Sequence, residues 1–338
     1  MRNTILVATL ALMAAGAALA EGEVNIYSSR HYDTDERLYS DFTAATGIAV
    51  NRIDGNADEL IERIKAEGAN SPADILITVD AGRLYRADAD GLFQPVDSAV
   101  LNERIPAEFR HPDGHWFGFS SRARIIFYDR DKVANPPKTY ADLAKPEYKG
   151  MVCVRSATNI YSLSLLAAMI GNEGEEAAKA WAAGVKDNLA RDPDGGDTDQ
   201  LKALLSGQCA IALSNTYYFA RALATNVEGL TEADGRAKIA WVFPDQDGRG
   251  THVNISGAGV VVTAPNKDNA IKFLEYLASD QAQQYFAAGN FEYPVAAGAA
   301  LDSTVAGLGE FKRDTLNLAA LGENQARAQE IYNELGWK

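Results

Sequence analysis

Strand-like apolar runs that alternate with amphipathic helical stretches constrain this chain more than any other feature. Val24-Asn-Ile-Tyr27 reads as a strand. Asp33-Thr34 then caps a helix that carries Leu38 and Phe42 and stops at Gly47, and Ile48-Ala-Val50 resumes as a strand. Asp58 opens a second helix with Leu60, Ile61 and Ile64 on one face and Gly68 as its stop, before the buried strand Ala73–Val79. A run of this βαβαβ kind folds as an α/β layer structure with a doubly wound, mostly parallel sheet, because parallel strands need helical crossovers on the sheet faces.

The pattern repeats further on. A second unit begins after Trp116-Phe-Gly-Phe119, with Arg124–Tyr128 as its first strand. Strands over Met151–Val154, Cys209–Leu213, Ile239–Phe243 and Gly257–Thr263 follow, with helices over Leu163–Ile170, Glu175–Asn188 and Leu201–Leu205, and one long helix over Asn269–Ala288. Residues 1–20 have one basic residue, an apolar core and an Ala18-Leu-Ala20 ending, the form of a cleavable secretory signal peptide. About 318 of the 338 residues then remain, more than one core usually organises, so two domains are expected. No linker separates them. The halves are therefore expected to exchange chain segments through short strands.

Removing the signal with its Arg2 leaves 31 basic against 46 acidic residues, a net charge of −15. Such a surface repels nucleic acid and anionic membranes. The even pair Cys153 and Cys209, both in strand-like segments of an exported chain, points to a structural disulfide, with two buried free thiols as the alternative. Among the catalytic possibilities, His31, His111, His115, His252 and serines such as Ser120, Ser121 and Ser162 form no Gly-x-Ser-x-Gly elbow and no His-Glu-x-x-His helix. An extracytoplasmic enzyme is thus the weaker reading. The acidic stretch Asp192-Pro-Asp-Gly-Gly-Asp197 reads as a solvated turn, since its spacing does not meet that of a calcium loop.

Tyr217 and Tyr218, in Ala210-Ile-Ala-Leu-Ser-Asn-Thr-Tyr-Tyr-Phe219, stand where a strand hands over to a helix. Ligands of open α/β sheets sit beyond the carboxyl ends of the strands, and a helix N-terminus there favours the phenolate. Two adjacent phenolates suit a hard trivalent cation; one core tyrosine beside one solvated tyrosine is the plainer alternative.

Several segments resemble one family. Asn25-Ile-Tyr-Ser-Ser-Arg-His-Tyr32, Pro72-Ala-Asp-Ile-Leu-Ile-Thr-Val-Asp80, Phe119-Ser-Ser-Arg-Ala-Arg124, Cys153-Val-Arg-Ser-Ala-Thr-Asn-Ile-Tyr161, Ser214-Asn-Thr-Tyr-Tyr218 and Glu292-Tyr-Pro294 are similar to the periplasmic ferric-ion binding proteins of bacterial ABC importers. The likeness is to their FutA-type group and spans essentially the whole exported chain. It implies a two-lobed periplasmic binding protein fold of type II, with a cleft between lobes joined by crossing strands. Lobe boundaries of 21–120 plus 246–295 and 121–245 plus 296–338 are expected. By the same resemblance Tyr32, Tyr161, Tyr217 and Tyr218 are ferric ligands, and His31 either ligates or orients its neighbour. The related FbpA-type group has a Glu where Val79 stands here, so Tyr32 and Tyr161 take that place.

Four phenolates on Fe3+ leave a net charge of −1, and Arg122, Arg30 and Arg221, each flanking a cleft motif, are the candidates to balance it. The protein implied is a periplasmic monomer that hands iron to an inner-membrane permease, with no membrane insertion of its own. Whether an anion completes the metal shell is open. A binding protein of the same fold for an organic solute, such as a polyamine or anionic metabolite, is the rival reading.

Overall fold

The structure, a computed structural model, describes residues 22–30 and 33–338. The expected signal peptide, His31 and Tyr32 lie outside the described residues. Among the described residues, nine strands form the framework: β1 (Glu23–Ser28), β2 (Ala49–Asp54), β3 (Ile75–Val79), β4 (Phe117–Asp129), β5 (Val152–Cys153), β6 (Ile211–Asn215), β7 (Ile239–Val242), β8 (Val253–Val260) and β9 (Tyr293–Pro294). Their order is β2-β1-β3-β8-β4-β6-β5, with β7 and β9 also paired to β4. Helices pack on both faces.

The first βαβαβ run forms in the expected order, but its helix starts differ: Asp33–Asp35 is a short 3-10 turn ahead of the first helix, and Asn56 caps the second. β1 lies parallel between β2 and β3. The helix Glu36–Thr46 turns Leu38, Tyr39 and Phe42 inward and ends at Gly47, whose φ of 72° is the left-handed cap that glycine adopts without strain. Phe42 meets Phe273 edge to face, with ring centroids 5.0 Å apart. Full burial of such a ring contributes about 1.5–3 kcal/mol by area alone.

Three expectations need correction. The sheet is mixed: parallel pairing is confined to β2-β1-β3 and β5-β6, because β8 runs antiparallel to β3 and β4, and β4 antiparallel to β6 and β7. Those long central strands return the chain between the two halves and must reverse direction to do so. Secondly, the strand expected over Arg124–Tyr128 already begins at Phe117, in a single 13-residue β4. Its polar middle stays in the sheet because each side chain finds a buried partner. Ser120 donates to Glu292 at 3.0 Å, and the Arg122 guanidinium to Ser256 at 3.3 Å. Thirdly, the helix expected over Asn269–Ala288 is two helices, Lys267–Leu277 and Asp280–Asn290. Ser279 is extended there (ψ 156°) and its side chain caps the second helix, accepting from Ala282 N–H.

β4 and β8 approach so closely that a Cβ on Gly257 would meet the Phe117 carbonyl oxygen at 2.6 Å. Glycine is required there by space. Beside β6, Cys153 and Cys209 are disulfide-bonded, with Cα atoms 5.9 Å apart and a sequence separation of 56. The bond fastens the two-residue β5 to the start of the tyrosine-bearing strand. Closing a loop of that length contributes about 2–4 kcal/mol. The double variant Cys153→Ala/Cys209→Ala is expected to lose that amount in urea unfolding, and the parent, unfolded without reductant, to show no titratable thiol; two thiols and unchanged stability would contradict the bond.

Candidate functional site

Two helix N-termini converge at the carboxyl ends of the second-half strands. β6 ends at Asn215, which is extended (φ −76°, ψ 146°), and the helix Thr216–Thr225 starts immediately, so Tyr217 and Tyr218 occupy its first turn. Tyr161 is the second residue of the helix Ile160–Glu173; the Asn159 side chain caps that helix by accepting from Tyr161 N–H at 2.9 Å. All three phenols therefore sit at the positive ends of helices, where negative charge is favoured. The structure brings them together. Tyr161 and Tyr217 hydroxyls are 3.2 Å apart, and the Tyr217 and Tyr218 ring centroids are 4.2 Å apart. Burial, followed by the neighbouring Tyr161 and Asp197 oxygens, raises the Tyr218 pKa above that of a free phenol, so the unliganded group keeps its proton.

Cations surround this cluster. Arg122, on β4, is 2% exposed, with its guanidinium carbon 5.9 Å from the centre of the Tyr161 ring. Burial is the largest influence on it and works against its charge. The Tyr161, Glu292, Tyr217 and Asp80 oxygens outweigh burial and hold its pKa above the ordinary arginine value. Arg221 lies 5.9 Å from the Tyr217 ring centre and 5.3 Å from that of Tyr218. Arg30 donates to Asp35 at 2.9 Å and to Glu292 at 2.9 Å, so two carboxylates already meet its charge. It also shares Ser256 Oγ with Arg122, at 2.8 and 3.3 Å.

The residues that sequence reasoning missed are Arg155 and Asp197. Arg155 stands 5.1 Å from the Tyr161 ring centre and donates to Asp197 at 3.3 Å. Asp197 also accepts from Arg124 at 3.0 Å and from the Asn215 backbone N–H at 2.8 Å. The acidic stretch is thus a solvated turn only in part. Asp192 and Asp194 are exposed, whereas Asp197 is buried, because it closes the β6 terminus and offsets two guanidinium groups. Arg155 was visible inside the Cys153–Tyr161 motif, but nothing in its spacing separates it from an ordinary surface arginine.

A second polar contact spans the two halves of the molecule. Asp80, just after β3, has φ 88°, an outlying value for a residue with a side chain. Its carboxylate caps Gly82 N–H, accepts from Asn254 on β8 at 2.8 Å, and accepts from Ser164 Oγ, on the Tyr161 helix, at 2.8 Å. Burial raises its pKa, against the pull of these hydrogen bonds.

A cluster of phenol oxygens set at helix N-termini and ringed by guanidinium groups can replace the water of a hard, highly charged cation while its own charge is balanced locally. Comparison with known proteins places that chemistry in context. The sequence is similar to Iron uptake protein A1 of Synechocystis sp., 52% identical over 94% of this chain and 88% of that one. It is also similar to the Fe(3+)-binding periplasmic protein of Serratia marcescens, 29% identical over 95% of this chain and 93% of that one. In structure it is similar to the Trichodesmium FutA (IdiA) complex with iron and citrate, with a TM-score of 0.90 at 50% identity over 94% of this chain and 100% of that one. The sequence profile described as Bacterial extracellular solute-binding protein matches residues 70–308, and with these relatives it shows that the chain belongs to that family.

Proposed function

We propose that this chain captures ferric ion in a cleft between two lobes and delivers it to an ABC importer. The observation that carries the reading is the meeting of Tyr161, Tyr217 and Tyr218 at two helix N-termini, with the Tyr161 and Tyr217 oxygens 3.2 Å apart. The relatives named above are uptake and binding proteins for iron, which favours transport over catalysis and iron over an organic solute. Tyr32 is the fourth phenol of the set, with His31 beside it, and Arg122, Arg155 and Arg221 balance the negative charge. The anchoring of Arg30 next to Arg122 supports this role for the residues that follow it.

Phenolate oxygen is hard and anionic, as ferric ion demands, and each phenol must release its proton to bind. Capture therefore weakens as the surroundings acidify. Lobes of residues 21–120 plus 246–295 and 121–245 plus 296–338, meeting along β4 and β8, would close on the ion. Export by the N-terminal segment, residence in the periplasm as a monomer and recognition of the closed form by a permease complete the proposal.

Two experiments test it. Tyr217→Phe and Tyr218→Phe keep the ring and remove one donor oxygen, so each is expected to lose most of the visible ferric charge-transfer absorption and to weaken ferric binding at least tenfold, about 1.4 kcal/mol, with an unchanged far-ultraviolet dichroism spectrum. Unaltered colour and affinity in both variants would refute the ligand assignment. Closure is read separately by small-angle scattering. The parent is expected to become more compact with ferric ion, whereas Tyr32→Phe binds iron through the second lobe and closes incompletely; equal compaction of the two would remove Tyr32 from the latch.

A further inference from the structure

We propose that Asp88, His111 and His115 form a second metal site, separate from the phenol cluster, for a divalent ion of the zinc class. Asp88 lies near the end of the helix Ala81–Ala89, and the two histidines flank the turn Pro112-Asp113-Gly114 just before β4. One ligand atom from each lies within 4.8 Å of the others. His115 Nδ1 is 2.5 Å from Asp88 Oδ1, and His111 Nε2 is 3.3 Å from Asp88 Oδ2. The set shares no residue with the phenol cluster. Eight residues of helix, about 12 Å of rise, separate Asp88 from Asp80.

Hydrogen bonding fixes how the site rests. His111 Nδ1 accepts from Asp113 N–H at 3.1 Å, so its Nε2 carries the proton and donates to Asp88, as His115 Nδ1–H does from the other side. One carboxylate thus accepts from two imidazole N–H groups, whose protons lie where a cation would sit between the three ligands. On metal binding each ring moves its proton to the other nitrogen and presents a lone pair. His115 turns its N–H to solvent, and His111 gives up its bond from Asp113.

Geometry and donor type select the ion. Tetrahedral zinc with bonds of about 2.0–2.2 Å holds its ligand atoms roughly 3.3 Å apart, the present His111–Asp88 spacing. The His115 nitrogen must withdraw slightly, and the two rings, stacked with centroids 4.6 Å apart and planes 4° from parallel, must tilt toward the ion. Side-chain exposures of 15–27% leave them room to do so and leave a face for a water ligand. Two imidazoles and one carboxylate are borderline donors that suit Zn2+, in contrast to the all-oxygen phenol set. A bound ion would pin the helix Ala81–Ala89 to the start of β4.

The test is calorimetric titration of the whole exported protein with Zn2+ alone. One ion per chain is expected, unchanged in Tyr217→Phe/Tyr218→Phe and weakened at least tenfold in His111→Gln and in His115→Gln, each checked for native dichroism. Zinc affinity that survives both histidine variants, or that the tyrosine variant abolishes, overturns the proposal. An arm free of substitution follows the histidine ring signals of the parent by nuclear magnetic resonance: His111 and His115 are expected to shift on zinc addition, and signals that do not move would equally overturn it.

Discussion

One buried carboxylate, that of Asp197, fixes the part of the molecule where chemistry is concentrated. It accepts from Arg124 on β4, from Arg155 after β5 and from the backbone of Asn215 at the end of β6. Three elements that share no covalent connection nearby are therefore tied at one point. Arg124 is only 3% exposed, so loss of its partner would leave a buried charge uncompensated, a change that costs about 3–5 kcal/mol. Because two guanidinium groups share this carboxylate, a positive balance remains. It lies beside Tyr161 and Tyr218.

That balance decides whether several phenolates can coexist. A guanidinium about 5 Å from a phenolate contributes of order 3 kcal/mol of attraction at an effective dielectric constant near 20. Three arginines are within reach: Arg122 and Arg155 near Tyr161, and Arg221 near Tyr217 and Tyr218. Acting together with the helix N-termini, they offset the repulsion among the oxygens and the burial that keeps the Tyr218 proton in place. Asp80 supplies the complementary constraint between the halves. Through Ser164 it touches the Tyr161 helix, and through Asn254 it touches β8, so one carboxylate ties the end of β3 to both.

Much of this was legible in the sequence, and the parts that were not share a physical cause. β1, the helix Glu36–Thr46 with its Gly47 stop and the hand-over from β6 to the Tyr217 helix follow from local periodicity and chain-stop residues, which neighbours in sequence decide. The continuity of β4 through Ser120 and Arg122 was hidden, because its polar side chains are satisfied by Glu292 and Ser256, more than a hundred residues away. Asp197 reads as one more acidic turn residue until Arg124, 73 residues distant, closes on it. Ser279 was likewise absorbed into a helical pattern whose apolar spacing happens to continue across the break. Tyr161, Tyr217 and Tyr218 could be picked out by motif, but only the fold shows that they meet, and which arginines face them.

The central claim is that phenolate oxygens from these tyrosines bind ferric ion directly. Resonance Raman spectroscopy of the iron-loaded protein, excited within its visible band, tests this most directly. Enhanced ring modes of coordinated tyrosinate, diminished when Tyr161 is replaced by Phe, are the predicted result. A visible band that enhances no tyrosinate mode, or a spectrum unaffected by that replacement, would contradict the account.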